Sequence, residues 1–411
     1  MKFQILARIV FGLTLSVMIA GCNNIAKTPA KSVTFNRPER WKFLEPGDKE
    51  YKDKQKTIEA IDAFWSQFQK DEPKLSALKN EDYGNFWTTW SKANLKKLDK
   101  NLNYEIGTEY DERKKNYLII SCDNYLGLDP FVQTILERAP KLDNWNYYRY
   151  FSKYSHRQIE NAIAQNTTEK LPSFSFQCRT MPANLVGIII TAPTFHGDNV
   201  LEDKNLAWEM LELALGEKDL YTWIGTVETR KGPSKLSTYS SSHRLQKQIA
   251  ELKRLLINRL PDKPYFEMEL DEKTLSNLRL SLTDRPFFSE RFSKNGETFC
   301  ALATKDKNPF DTEAKRDALE EDLKSLFLKA KLGCIIDASL ETETGFCIDL
   351  CVTDIDKTIA ILRKYCNEHK MPPNTYLFFF DETLTYEWVG MYPYSDPYKS
   401  DSKAKSDSKK N

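Results

Sequence analysis

Histidine is scarce in this sequence, with four residues among 411, and no two of them lie close together along the chain. The nucleophile elbow G-x-S-x-G, the phosphate-binding patterns G-x-x-x-x-G-K and G-x-G-x-x-G, and the metal-site patterns H-E-x-x-H and C-x-x-C are also absent. The sequence therefore offers few residues from which to build a histidine relay or a zinc site, and we expect no metal ion and no cofactor. The histidines are His156, His196, His243 and His369.

The chain also has almost no net charge. Lys and Arg number 60 against 59 Asp and Glu, so the formal net charge is +1 at pH 7. A chain without a strong field has nothing to attract a polyanion, so nucleic acid is not expected as a partner.

The sequence begins with a short apolar run that is too brief to span a membrane. Residues 9–19 are uncharged and mostly apolar, and they follow Lys2 and Arg8. A spanning helix needs about 20 apolar residues. A positive start, a short apolar run and small residues at Ala20 and Gly21 are instead typical of an export signal.

The end of this run, Ile19-Ala20-Gly21-Cys22, resembles the lipobox of bacterial lipoproteins, although leucine is more usual where Ile19 stands. In that family the peptide is cut before the cysteine, which then carries acyl chains such as palmitate. The resemblance implies a signal peptide over residues 1–21, lipidation of Cys22 and a lipid bilayer as partner. An ordinary signal peptide followed by a chance cysteine is the alternative.

The residue after the cysteine bears on which membrane holds the protein. Aspartate at that place favours the inner membrane in lipoproteins of two-membrane bacteria, and this chain has Asn23 instead. We therefore expect a cell-envelope protein on the outer membrane, facing the periplasm, rather than one on the inner membrane. Loss of residues 1–21 would remove Lys2 and Arg8, so attachment would depend on the acyl chains.

The remaining chain is longer than the ~250–300 residues at which single cores stop growing, so two domains are expected. We predict an acylated cysteine and tether over residues 22–40 and an N-terminal α+β domain over residues 41–230. A Gly-, Pro-, Ser- and Thr-rich boundary precedes a C-terminal α+β domain over residues 243–394. Residues 395–411 are polar and predicted to be disordered.

The predicted fold class is α+β, with two mixed or antiparallel sheets and helices packed on one face. In the first domain we predict a helix at residues 54–70, a short helix at 129–139 with Asp129 as its cap, and a strand at 220–228. In the second domain we predict strands at residues 265–270, 278–282 and 298–304, a helix at 312–332, a hairpin at 334–352, a helix capped by Asp354, and a final hairpin. This order of elements is similar to that of ferredoxin-like folds.

Two stretches of the first domain, residues 116–145 and 213–228, look similar to bacterial domains of unknown function. That resemblance implies no activity.

One polar segment follows a strongly apolar predicted strand at residues 185–192. It contains His196 and Asp198, separated by Gly197. A histidine and a carboxylate at the end of a strand can share a proton or bind a cation, which makes them candidate catalytic residues. The alternative is a polar turn in which Gly197 supplies the bend.

The other candidates are cysteines and paired acids. Cys347 and Cys351 lie on one face of a predicted strand, roughly 13 Å apart, which excludes a disulfide or a shared metal between them. Cys334 on the facing strand can pair with either one. The other cysteines are interpreted mainly as buried apolar residues, with one or two disulfides left open. Four acids are interpreted as solvated turn residues: Asp381, Glu382, Asp123 and Asp129.

The missing motifs favour a non-enzymatic module that binds a protein partner, and an immunity or inhibitor protein is one version of this hypothesis. The alternative is an envelope hydrolase with a site near His196 and Asp198. A scaffolding role in the envelope is a third hypothesis.

Overall fold

The computed structural model describes most of the chain from residue 40 onward. The described residues are 40–77, 83–109, 115–154, 159, 174–234, 238–268, 270–283, 286–304, 306, 313–339, 345–393, 395 and 397. The predicted signal peptide, Cys22 and nearly all of the predicted tether and tail lie outside them. Among the described helices, none has both the length and the apolar character needed to cross a membrane.

The described residues form an α+β structure with nine helices and three sheets, which confirms the predicted fold class. The helices are α1 (Tyr51–Ala77), α2 (Tyr83–Ala93), α3 (Asp129–Glu137), α4 (Leu201–Leu215), α5 (Glu217–Trp223), α6 (Thr238–Asn258), α7 (Glu272–Thr283), α8 (Glu313–Ala330) and α9 (Ile355–Glu368). The strands are β1 (Asn103–Thr108), β2 (Asn116–Ser121), β3 (Trp145–Tyr148), β4 (Ser175–Met181), β5 (Leu185–Ala192), β6 (Ile224–Lys231), β7 (Thr298–Thr304), β8 (Gly333–Ser339), β9 (Phe346–Val352), β10 (Tyr376–Phe379) and β11 (Trp388–Gly390).

The chain divides into two compact units. The first contains Lys52–Met181 and Val186–Leu252, and the second contains Glu39–Tyr51, Pro182–Leu185 and the chain from Lys253 onward. In this part of the chain the change from the first unit to the second falls within α6, between Leu252 and Lys253. The segment directly before α1 also belongs to the second unit.

The first sheet of the first unit has the order β1-β2-β3. Strands β1 and β2 form an antiparallel hairpin, whereas β2 and β3 are parallel and are joined through α3. Helix α1 places Phe64, Trp65 and Phe68 in the core at helical spacing. The ring of Phe68 meets that of Trp145 edge-on at 4.9 Å between centroids. The aromatic stripe of α1 is therefore core.

The second sheet of the first unit has the order β4-β5-β6, and β5 runs parallel to β6. Val186, Ile188 and Ile190 of β5 are fully buried, as expected for a central strand. Gly216 ends α4 with a φ of +80°, a conformation that glycine adopts without strain. Residues 220–223, predicted as strand, instead belong to α5, and the strand begins at Ile224.

The second unit holds a five-stranded sheet of order β11-β10-β7-β9-β8, and all of its neighbouring strands are antiparallel. Its elements β7-α8-β8-β9-α9-β10 follow the ferredoxin-like order, which confirms that part of the prediction. Leu323 and Phe327 of α8 and Leu362 of α9 pack on one face of the sheet. The opposite face is covered by α7, through Leu278 and Leu282, and by Tyr265 and Phe287.

Two predicted strands of this unit were wrong. Residues 265–267 form a 3-10 turn, and residues 278–282 lie within α7. Leu275, Leu278 and Leu282 recur at helical spacing, and all three pack against the sheet. Five residues were too short a window to separate this pattern from a strand.

A segment that we call the strap, Arg40–Asp48, is fixed to the second unit by Glu387. The buried carboxylate of Glu387 accepts the backbone N–H groups of Trp41 at 2.9 Å, Lys42 at 2.8 Å and Phe43 at 3.1 Å. The guanidinium of Arg363 also donates to both carboxylate oxygens of Glu45 at 2.8 Å. These bonds explain why the strap belongs to the second unit and not to the helices that follow it.

Candidate functional site

The polar loop after β5 is organised by Asp203, a residue that sequence reasoning did not select. Asp203 lies in the first turn of α4 and is buried. Its Oδ2 accepts the backbone N–H groups of His196 at 2.8 Å and Gly197 at 3.3 Å. Its Oδ1 lies 3.0 Å from Nδ1 of His196. A buried carboxylate therefore orients the imidazole and closes the loop onto the helix.

The side chain of His196 is accessible to solvent. It is 66% exposed, whereas that of Asp203 is 3% exposed. An exposed imidazole oriented by a buried carboxylate is the arrangement that lets histidine act as a general base. Of the two sequence candidates in this loop, His196 has the geometry for proton transfer.

Asp198 is not the partner of His196. Its Oδ1 accepts the backbone N–H of Lys231 at 3.2 Å, where β6 ends. The neighbouring Asn199 exchanges two hydrogen bonds with the backbone of Thr229, at 2.8 and 3.3 Å. Asp198 and Asn199 thus fasten the loop to β6, and the carboxylate that serves His196 is supplied by α4.

A second group of polar residues, here called the β2-end cluster, lies beyond the carboxyl end of β2. It comprises Ser121, Asp123, Asp129, Glu217 and Tyr221. Glu217 is fully buried at the start of α5, where its Oε1 accepts the hydroxyl of Ser121 at 2.5 Å. Its Oε2 accepts the backbone N–H of Phe151, just after β3, at 2.9 Å. Glu217 therefore ties α5 to both parallel strands of the first sheet.

The environment of Glu217 favours its neutral form. Burial raises the pKa of Glu217 from 4.5 to about 8, and the nearby charges of Asp123 and Glu212 also raise it. The hydrogen bonds from Ser121 and Phe151 lower this pKa, and they offset only part of the cost of burial. At neutral pH this carboxyl therefore holds a proton in the folded chain.

Asp123 occupies a strained position in the β2-end cluster. Its φ is +49°, a left-handed conformation that Asp adopts at a small cost. Its Oδ1 accepts the hydroxyl of Tyr221 at 2.8 Å. Burial lowers the pKa of Lys96 nearby, while the charges of Asp99 and Asp123 raise it. Strained backbone positions are common at functional sites, so Asp123 is the functional candidate within the cluster.

The interpretation of Asp129 as a solvated residue and as the cap of α3 was wrong. Asp129 is 6% exposed, accepts the hydroxyl of Tyr150 at 2.9 Å and pairs with Arg149 at 3.3 Å. Leu128 stands at the cap position, and no side chain caps the helix there. A 3-10 turn at Leu126–Leu128 precedes the helix and turns Asp129 inward.

The chemistry open to the β2-end cluster is limited by access. Ser121 and Glu217 are fully buried, so a substrate cannot reach the hydroxyl or the carboxyl. Their hydrogen bonds join β2, the segment after β3 and α5. Among the described residues, no group of three or more His, Cys, Asp or Glu is placed to hold a metal ion. The cluster is therefore suited to structural support, whereas His196 presents an accessible basic group.

Asp381 also differs from its expected state. It was interpreted as solvated at a hairpin tip, but its carboxylate accepts the backbone N–H of Ser289 at 2.8 Å and the hydroxyl of the same residue. Burial raises the pKa of Asp381, and the bonds from Ser289 lower it. The connection after β10 contains the 3-10 turn Glu382–Leu384 rather than a tight hairpin. Asp381 thus has a structural role, because its hydrogen bonds to Ser289 join the end of β10 to the segment before β7.

Comparison of the chain with protein-family models, with curated proteins and with solved structures found no match in any of the three. The fold itself therefore defines the class: an α+β protein of two compact units, the second of which has ferredoxin-like element order.

Proposed function

We propose that this chain is a lipid-anchored protein of the bacterial cell envelope. Signal peptidase would remove residues 1–21, and acyl chains on Cys22 would hold the α+β body to the outer membrane, facing the periplasm. One observation carries the proposal: Cys22 directly follows Ala20 and Gly21 at the end of a short apolar run that begins behind positive charge. Two or more acyl chains give stable attachment, whereas one holds only marginally.

The role that fits this body best is non-enzymatic binding of a protein partner. The sequence contains no standard catalytic motif, and Glu217, Asp381 and Glu387 are all engaged in bonds that hold the fold together. Exposed tyrosines such as Tyr125 and Tyr386 can serve as interface anchors. A cross-linked pull-down from envelope extract should recover a reproducible partner, and repeated failure to do so would count against the binding role.

Replacement of Cys22 tests the anchor. We expect the native chain to sediment with membranes and its mature N-terminus to be an acylated Cys22 by mass spectrometry. Cys22→Ala should move the protein to the soluble envelope fraction, because no acyl chain can then be attached. Cys178→Ala, which alters a cysteine of the folded body, is the matched control and should stay with the membranes. Membrane attachment of Cys22→Ala, or a mature chain that starts elsewhere, would refute the proposal.

A second function, an envelope hydrolase, is favoured by the contact between His196 and Asp203. The exposed imidazole can take a proton from water or from a substrate hydroxyl while the buried carboxylate stabilises the imidazolium. Asp198 then serves to position the loop. This function needs a substrate that reaches the end of β5 without entering the core.

Isolated peptidoglycan sacculi and an activated ester are suitable probes of this second function. If His196 is the base, His196→Ala should abolish release of soluble fragments or of the leaving group without changing the melting temperature. Asp203→Asn should slow the reaction and also loosen the loop, whereas Arg244→Ala, an exposed residue of α6, should do neither. A fully active His196→Ala variant, or a native chain inactive on both probes, would remove support for hydrolysis at this loop.

A further inference from the structure

Two cysteines face each other at one edge of the sheet in the second unit. Strand β8 is the edge strand, and β9 is its neighbour. In the antiparallel register, Cys334 of β8 lies directly opposite Cys351 of β9. Both side chains pack in the same hydrophobic cluster on one face of the sheet.

The register decides between the two partners that the sequence left open for Cys334. Cys347 of β9 lies opposite Ser339, five residues further along β8, so it cannot meet Cys334. Directly opposite residues in an antiparallel pair have Cα atoms about 4.5–5.5 Å apart. A disulfide accepts a Cα separation of about 4.4–6.8 Å, so Cys334 and Cys351 can be joined without moving either strand.

The two thiols differ in their access to solvent. Cys334 is partly exposed on the edge strand, whereas Cys351 is fully buried among Tyr265, Phe299 and Phe380. Burial raises the pKa of Cys351 well above its ordinary value, and contact with Cys334 raises it further. An oxidant therefore meets Cys334 first, and Cys351 is the slower, resolving thiol.

We propose that Cys334 and Cys351 are a redox modification site, at which oxidation forms a cross-strand disulfide that fastens the edge strand β8 to β9. Both cysteines are free thiols in the structure. The strands are already paired, so the reaction needs no rearrangement of the fold.

The oxidant is a small disulfide such as oxidised glutathione. The thiolate of Cys334 attacks one sulfur of this disulfide, whose S–S bond breaks and releases one glutathione thiol. Cys351 then loses its proton and attacks Sγ of Cys334, which releases the second glutathione as a thiol. Two protein thiols are oxidised and one disulfide is reduced to two thiols, so electrons and protons balance.

The new bond would enclose the chain between Cys334 and Cys351 in a covalent loop. An edge strand presents unpaired backbone groups and is the strand of a sheet most open to fraying or to pairing with another chain. A register shift in β8 between Ile335 and Asp337, next to Cys334, already interrupts regular pairing at this edge. A disulfide at Cys334 would secure the part of β8 that precedes this irregularity. The proposal concerns the folded second unit and holds whether or not the chain is anchored in the envelope.

Thiol mapping of the full chain, purified in detergent, tests the proposal. The protein is equilibrated with oxidised glutathione, quenched in acid, alkylated with N-ethylmaleimide, digested and analysed by mass spectrometry. We expect a cross-linked peptide pair containing Cys334 and Cys351, lighter than the two free peptides by the mass of two hydrogen atoms. Dithiothreitol should abolish it. Amide hydrogen exchange in β8 should slow in the oxidised sample.

Matched variants separate this pairing from other oxidation. Cys334→Ser, which alters a partly exposed side chain, should lose the cross-link while the chain remains folded, and Cys347→Ser should retain it. The Cys351→Ala variant should also lose the cross-link, if this variant folds. Alkylation of both Cys334 and Cys351 after oxidation would overturn the proposal. So would capture of Cys334 only as a mixed disulfide with glutathione, or linkage of Cys334 to Cys347.

Discussion

Glu217 is a single buried acid whose ionisation is linked to folding. Its pKa is about 8 in the folded chain, against an ordinary value of 4.5, because burial penalises the carboxylate. Between these two values the folded chain holds a proton that the unfolded chain has released. The contribution of Glu217 to stability is therefore fully present below pH 4.5 and is lost as the pH rises through about 8.

Replacement of Glu217 by glutamine should remove this pH dependence. Glutamine keeps the shape and the acceptor oxygen but has no proton to lose, so the free energy of unfolding should fall less between about pH 5 and about pH 9 than it does in the native chain. Urea unfolding at several pH values measures the difference. Glu202→Gln, at an exposed position of α4, is the control and should keep the native pH profile. An unchanged profile in Glu217→Gln would contradict the assigned pKa shift.

Single residues were predictable where their partner is close in the sequence. Asp354 was predicted to cap a helix, and its side chain accepts the backbone N–H of Lys357 at 3.0 Å, three residues away. Asp381 was misread because its partner, Ser289, is 92 residues away. Glu217 was not selected at all, since Ser121 lies 96 residues before it. No local pattern carries the information for these pairs.

At the scale of elements, the approach of β8 to β9 depends on Gly333. A Cβ atom at this position would overlap the carbonyl oxygen of Cys351 on the neighbouring strand. Glycine is therefore required at the start of β8 for its close backbone contact, although its φ is not in the left-handed region.

Gly333→Ala should destabilise the second unit by about 1–3 kcal/mol, because the added methyl group forces the strands apart. Denaturant unfolding followed by Trp fluorescence gives the loss. Gly47→Ala is the matched control, since a Cβ there would meet nothing within 4 Å, and it should change stability by less than about 0.5 kcal/mol. Equal effects at both positions would argue against the tight contact at Gly333.

Elements were predicted well where the apolar spacing extends over several turns. Helix α1 and the pair α8 and α9 follow this rule, and their inward residues are buried. Helices α5 and α7 were missed because their short apolar groups, around Leu220 and Leu278, fit a strand as well as a helix. The surface against which these residues pack decides whether a helix or a strand forms. That surface cannot be identified from the local sequence.

At the scale of the whole molecule, the number of sheets and the long-range contacts of the strap were the least predictable features. The described part of the first unit contains two separate three-stranded sheets, although one sheet was expected in each domain. The strap joins the second unit through Glu387, over a separation of 344 to 346 residues. Composition and local spacing do not report contacts made between residues so far apart in the chain.

Loss of the carboxylate at Glu387 should release the strap. Glu387→Ala leaves the N–H groups of Trp41, Lys42 and Phe43 without their shared acceptor, and we expect a loss of about 3 kcal/mol, in the range for bonds to a charged group. Urea unfolding measures this loss, and limited proteolysis should cut the chain within residues 40–48. Glu368→Ala, at an exposed position of α9, should leave both measurements unchanged. Protection of the strap in Glu387→Ala would show that other contacts suffice.

The long reach of the strap has a consequence for biosynthesis. A ribosome makes Trp41 long before Glu387, so the acceptor that secures the strap does not exist until nearly all of the polypeptide has emerged. The earliest-made part of the body is therefore the last to be locked in place. Until that moment the N–H groups of Trp41, Lys42 and Phe43 are bonded to water, and the indole of Trp41 cannot take up its buried position.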